Sequence, residues 1–97
     1  MNCYRILLLG ENFLIRKWFK MKMMGFYATR FVKALDEEQA ELEAVKMIKD
    51  DHRLIKMTKN KSGQTMPKIY LDEIERIEDS QMQKSSGYTW FEMDTTE

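Results

Sequence analysis

Ile6, Leu7, Leu8 and Leu9 follow one another without a break, and this run constrains the fold more than any other stretch. Residues 4–13 read as a strand. Side chains alternate faces along a strand, so four consecutive aliphatics make both of its faces apolar. Such a strand needs cover on two sides. The rest of the chain supplies one strong amphipathic helix, and one helix covers one face.

That helix is announced at residue 36. Asp36 is a good N-cap, and Gln39 three residues on completes a capping-box pattern. Ala40, Ala44, Met47, Ile48 and Ile55 form a stripe at helical spacing. Glu37, Glu38 and Glu41 suit the positive end of the helix dipole, and Arg53 and Lys56 the negative end. The spacing predicts one helix over residues 37–57. Residues 25–34 read as a second strand, rich in aromatic and β-branched side chains and paired antiparallel with the first. Residues 14–24 fit a hairpin arm, with Ile15, Phe19, Met21 and Met23 on one face and Arg16, Trp18, Lys20 and Lys22 on the other. Gly10 marks a bulge or a close backbone approach. Residues 58–67, with Ser62-Gly63, read as a loop. In residues 68–77 the apolar spacing changes after Leu71, which implies a bulge or a strand running into a helical turn. Residues 79–87 read as a linker, 88–93 as a final aromatic strand, and 94–97 as a fraying end.

The chain of 97 residues is one domain. Its order is strand, strand, helix, strand, strand. The expected fold is α+β: a two-layer sandwich of one antiparallel sheet of about four strands with one main helix on one face. The second sheet face must be covered by the arm at residues 14–24, by the C-terminal strand folding over, or by another copy of the chain. The last option makes a homodimer the expected state.

Gly10-Glu11-Asn12-Phe13 and Gly25-Phe26-Tyr27-Ala28-Thr29-Arg30-Phe31-Val32-Lys33-Ala34, followed by the acidic-capped helix, resemble a family of small bacterial proteins with no assigned activity. The resemblance covers most of the chain outside residues 14–24 and 58–66. It implies a compact α+β domain and no catalytic, metal or cofactor residue. More loosely, the strand pair followed by a helix is similar to HicB-type antitoxin domains, at the level of fold alone.

Most chemistries lack their parts. Cys3 and His52 are the only thiol and imidazole, and nothing local brings them together. Asp50-Asp51-His52 lacks helical ligand spacing, since the positions three and four away from His52 hold Ile48, Lys49, Ile55 and Lys56. The acid pairs Glu37-Glu38 and Asp72-Glu73 have no cleft to face across. The four glycines are too scattered to cradle a phosphate. One cysteine excludes an intrachain disulfide. No enzymatic activity and no cofactor are expected.

No apolar run approaches a membrane span and no signal peptide is visible, so a reducing cytoplasm is expected and no membrane partner. The Asn60-Lys61-Ser62 sequon then carries no meaning.

Sixteen basic and sixteen acidic residues cancel, but unevenly. Residues 1–34 hold seven basic side chains against Glu11 alone, and residues 35–97 hold nine against fifteen acids. Arg16, Lys17, Trp18, Lys20 and Lys22 interleave cations with an aromatic, the composition of a nucleic-acid contact. A solvated arm whose lysines blunt an edge accounts for the same residues. Glu11 and Asn12, with Arg30 across the hairpin, form a candidate polar site at the sheet end, or a structural cross-strand pair. Met21, Met23 and Met24 beside Phe19 and Phe26 suit irregular core or interface packing. The expected role is a non-enzymatic, self-associating or protein-interaction domain. Nucleic-acid binding through the arm ranks second.

Overall fold

Four antiparallel strands form one open sheet in the order β3-β1-β2-β4, with helices on one face, in a computed structural model that describes residues 1–60, 66–84 and 87–93. The elements are β1 (Asn2–Lys17), β2 (Lys20–Ala34), α1 (Glu37–Lys49), α2 (His52–Met57), β3 (Lys68–Ile77), a 3-10 turn (Asp79–Gln81) and β4 (Thr89–Glu92). The α+β fold expected from the sequence is the fold observed.

β1 and β2 form one long hairpin, paired from Asn2 with Ala34 to Lys17 with Lys20. Residues 14–24 are therefore the far end of both strands, joined at Trp18 and Phe19. Alternation sorts β1 into two apolar sides. Ile6 and Leu8, wholly buried, face the helices, and Leu7 and Leu9 face away. Glu11 and Asn12 together oppose the single residue Gly25, a β-bulge in which Asn12 takes φ 66°. Asn is among the few side chains that tolerate that region. Gly10 answers a close approach. A Cβ there would lie 2.3 Å from Cε2 of Phe26 on the neighbouring strand.

The core lies between α1 and the sheet. Ala40, Ala44 and Ile48 of α1 are fully buried against Tyr4, Ile6, Leu8, Phe26, Val32 and Ala34. Two alanines let the helix approach the sheet closely. Ile48 fills the space beyond them, and burying such a side chain is worth about 2 kcal/mol. Phe26 anchors the centre, with Phe13 at 5.0 Å, Tyr88 at 4.9 Å and Trp90 at 5.3 Å between ring centroids.

The Asp36 cap forms as expected, but the return bond of the capping box goes one residue further back, to Leu35. Gln39 N–H donates to Asp36 Oδ1 at 2.8 Å, and the Gln39 side chain accepts from Leu35 N–H at 3.0 Å. The single helix over 37–57 does not form. It breaks at Asp50 and Asp51, because Asp51 turns its carboxylate to accept from Arg53 N–H and caps a new helix, α2. Aspartate competes with the helical backbone in this way. The break shifts the phase of the stripe. Past it Leu54 is buried and Ile55 is 54% exposed; Met47, on α1 before the break, is 43% exposed at the margin of the stripe.

Of the two readings of the spacing after Leu71, β3 takes the bulge and continues as a strand to Ile77. Asp72 is the extra residue, between the pairs Leu7–Glu73 and Leu8–Leu71. β3 flanks β1 only as far as Glu11. Beyond that, Thr58 bridges to Ile15, Lys59 N–H donates to Leu14 O, and Asn60 takes the place of a strand. Its side-chain Oδ1 accepts from Leu14 N–H at 2.9 Å and its Nδ2 donates to Asn12 O at 3.0 Å. Ser62-Gly63, the middle of the linker near residue 85, and the end at 94–97 lie outside the described residues.

Candidate functional site

Two surfaces stand out, and neither is a cleft with convergent polar groups. One is the sheet face turned away from α1. The other is the apex of the β1–β2 hairpin.

On the helix-free face lie Leu7 and Leu9 of β1, Tyr27 and Phe31 of β2, Tyr70 of β3 and Phe91 of β4, by strand alternation. Gly25 lets the Phe91 ring lie on the sheet. A Cβ at Gly25 would meet Phe91 Cζ at 2.3 Å, and Tyr27 packs beside Phe91 at 5.6 Å between centroids. Charges bound the patch. Arg5 reaches Glu75 at 3.0 Å and Glu73 at 3.3 Å, contacts that raise its pKa. At the sheet's lower end Asp79 accepts from the Lys33 ammonium at 3.0 Å and from the Cys3 thiol at 3.6 Å. The Lys33 contact holds the Asp79 carboxyl below the usual carboxylate range. β4 joins the sheet edgewise, and the hairpin continues the plane of the sheet. Neither folds over this face.

The hairpin apex is a two-residue turn. Trp18 sits at φ 60°, and the turn closes between Lys17 and Lys20. The turn interrupts the strand alternation expected for residues 14–24, so the two sets of side chains do not keep to two faces. Ile15 is buried toward the helices, whereas Trp18 and Phe19 stand 84% and 92% exposed. Arg16, Lys17 and Lys20 are exposed around them. Lys22 is drawn away, 3.0 Å from Glu92 of β4.

The polar trio Glu11, Asn12 and Arg30 does not assemble. Arg30 pairs in register with Ile6, five positions down β1 from Glu11, and is 3% exposed on the helix side. Glu11 pairs with Lys68 on β3. Asn12 contributes its backbone, with N–H donating to Met93 Sδ at 3.1 Å and the carbonyl accepting from Asn60.

Arg30 belongs to a different cluster, one built on a residue that the sequence left unmarked. Its Nη1 donates to the carbonyls of Thr29 at 2.8 Å and Gly87 at 3.1 Å, and its guanidinium lies 5.1 Å from the Tyr88 ring centroid. The Tyr88 hydroxyl donates to Asp51 Oδ2 at 2.6 Å. Burial, then the Asp51 carboxylate, pushes the Tyr88 phenol up to about 12. The Tyr88 hydrogen bond in turn lowers the Asp51 pKa. A phenol held protonated against a cap carboxylate acts as a tie between β2, α2 and the start of β4. No local pattern relates Tyr88 to Asp51, 37 positions apart.

Cys3 and His52 are not brought together. Cys3 is buried near the lower end of β1, and His52 is exposed at the start of α2, whose far end meets β1 near Ile15. Asp50 is held by Lys46 at 2.7 Å and Asp51 by its cap and Tyr88. Among the described residues no group of three His, Cys, Asp or Glu side chains could hold a metal. No helix among them is long and apolar enough to cross a membrane. An apolar groove of about 700 Å³ lies between the helices and the start of β3, lined by Phe13, Ile48, Leu54 and Ile69 with Met66 and Pro67 at one side. No family model, curated protein or solved structure matches the chain.

Proposed function

We propose that the chain is a non-enzymatic self-associating domain, and that its helix-free sheet face pairs with the same face of a second copy. One observation carries the reading: an apolar sheet face left with no layer of this chain upon it among the described residues. Of the three covers available in the sequence, the arm and the final strand lie in the sheet plane. A second copy is the cover that remains, and a two-fold pairing sets the same patch against itself.

Strand spacing gives the scale. Three strands of about eight residues and the four of β4, at about 4.8 Å by 3.3 Å per residue, make roughly 440 Å² per copy. That lies within the range of the largest apolar patches on monomers. Two copies bury about 900 Å², a little below the size of a stable specific interface. The dimer is therefore concentration-dependent, and Leu7, Leu9, Tyr27, Phe31 and Phe91 form its centre.

Tyr27→Glu tests the proposal. Tyr27 is 41% exposed, so the substitution spares the core while placing a charge at the centre of the patch. Sedimentation velocity is expected to show the variant as a monomer where the unsubstituted chain associates. Association that persists in folded Tyr27→Glu would overturn the assignment of the face.

A further inference from the structure

We propose that the β1–β2 hairpin apex is a membrane-surface finger. Trp18 and Phe19 would enter the interfacial region of an anionic bilayer, and Arg16, Lys17 and Lys20 would contact its headgroup phosphates. The site is separate from the sheet face and does not depend on self-association.

The apex carries two adjacent bulky aromatics, almost wholly exposed, where folding would favour something smaller. Trp18 occupies a positive φ in a two-residue hairpin turn, a position that glycine takes without steric cost. A tryptophan there adds strain and buries nothing in its own fold. The gain therefore lies outside the chain.

The apex segment itself carries charge of one sign: residues 12–25 contain no Asp or Glu. Arg16 and Lys20 make no ion pair with any described residue, while Glu92 of β4 pairs with Lys22 and attracts Lys17 at longer range. The acidic side chains of α1 stay with the body of the domain, whose longest dimension is 44 Å against 24 and 23 Å. β3 ends its pairing at Glu11 and β4 begins at Met24, so the ribbon beyond Arg16 and Met21 has no flanking strand. At about 3.3 Å per residue the two residues per strand of that free apex make it roughly 7 Å deep, within the 5–10 Å by which interfacial segments sink into a bilayer. Trp with flanking Lys and Arg is the composition that sits at that depth.

The shape separates this reading from nucleic acid. Single strands bind in a basic groove that tracks the backbone past stacking platforms. Here Arg16, Lys17 and Lys20 stand exposed around a narrow tip, and the nearest hollow, between Leu14, Lys22 and Glu92, includes an acid. A soft anionic surface accepts such a tip. The sequence pointed away from membranes because it has no span, but lying on a membrane is a separate physical claim from crossing it.

The test is co-sedimentation with vesicles of phosphatidylcholine alone and of phosphatidylcholine containing about one-third phosphatidylglycerol, at low and physiological salt. Binding is expected to the anionic vesicles, weakened by salt, with a blue shift of tryptophan emission. Trp18→Gly is the informative variant. Glycine suits the left-handed turn, so the thermal midpoint should hold or rise by up to about 5 °C. Vesicle binding should fall at least about tenfold with the lost aromatic area. Lys17→Gln and Lys20→Gln should each cost about fivefold on anionic vesicles. Light-scattering mass should be unchanged in all three, which separates failure here from failure of the dimer. No binding by the unsubstituted chain, equal binding to both vesicle types, or undiminished binding by Trp18→Gly would overturn the proposal. So would salt-sensitive, Trp18-dependent binding to oligonucleotides without binding to vesicles, which would assign the apex to nucleic acid.

Discussion

Tyr88→Phe removes one hydroxyl and leaves the ring packed on Phe26, Trp90 and the Arg30 guanidinium. What it deletes is the 2.6 Å hydrogen bond to Asp51, which joins the approach to β4 with the cap of α2. A hydrogen bond to a charged acceptor is worth about 1.5–3 kcal/mol, and less where water reaches the pair, as it does at this half-buried phenol. The expected loss at neutral pH is about 1–2 kcal/mol, read as a lower urea midpoint at constant slope. The sign with pH follows from the two groups. Asp51 is depressed in the folded state, so its contribution is present above the unfolded carboxylate value of 3.8 and fades as pH falls through the folded one. Tyr88 is raised, so its contribution is present below 10.0 and is lost as pH rises through about 12. The gap between the unsubstituted chain and Tyr88→Phe should be flat from about pH 5 to 9 and should shrink in acid. Urea unfolding followed by tryptophan emission at pH 7 and near pH 3 reads both. A loss below about 0.5 kcal/mol, or one of equal size at both pH values, would refute the tie.

Three further substitutions probe the frame. Gly10→Ala should cost about 1–3 kcal/mol by calorimetry, because its Cβ would meet a Phe26 ring wedged among three other aromatics. Gly87→Ala is the matched control and should change stability by less than about 0.5 kcal/mol, since nothing lies within 4 Å of its Cβ position. Asn60→Ala should lose about 1–2 kcal/mol and speed amide exchange at Leu14, whose N–H donates to the Asn60 side chain.

The local rules read well where one residue decides the outcome. The Ile6–Leu9 alternation, the Asp36 cap and the irregularity of β3 after Leu71 needed no knowledge of distant partners. The sequence failed where two local signals competed. The stripe from Ala40 through Ile55 argued for one helix, yet Asp51 could serve either as a solvated mid-helix residue or as a new cap, and Tyr88 across the fold supports the cap. The hairpin apex was hidden because Trp18 and Phe19 are not turn residues; the strong β1–β2 pairing imposes the turn on them. Of the candidate arm, Arg16, Lys17, Trp18 and Lys20 stand exposed at one apex, while Lys22 turns to Glu92. Glu11 and Arg30 do not meet because the hairpin turns at Trp18 and Phe19, which sets Arg30 opposite Ile6, five positions along β1 from Glu11.

Cover of the helix-free face by a second copy can be read from light scattering after gel filtration, at two protein concentrations well apart. The expected mass moves from 11.7 kDa toward twice that value as concentration rises. A mass that stays at 11.7 kDa up to the highest soluble concentration would contradict it.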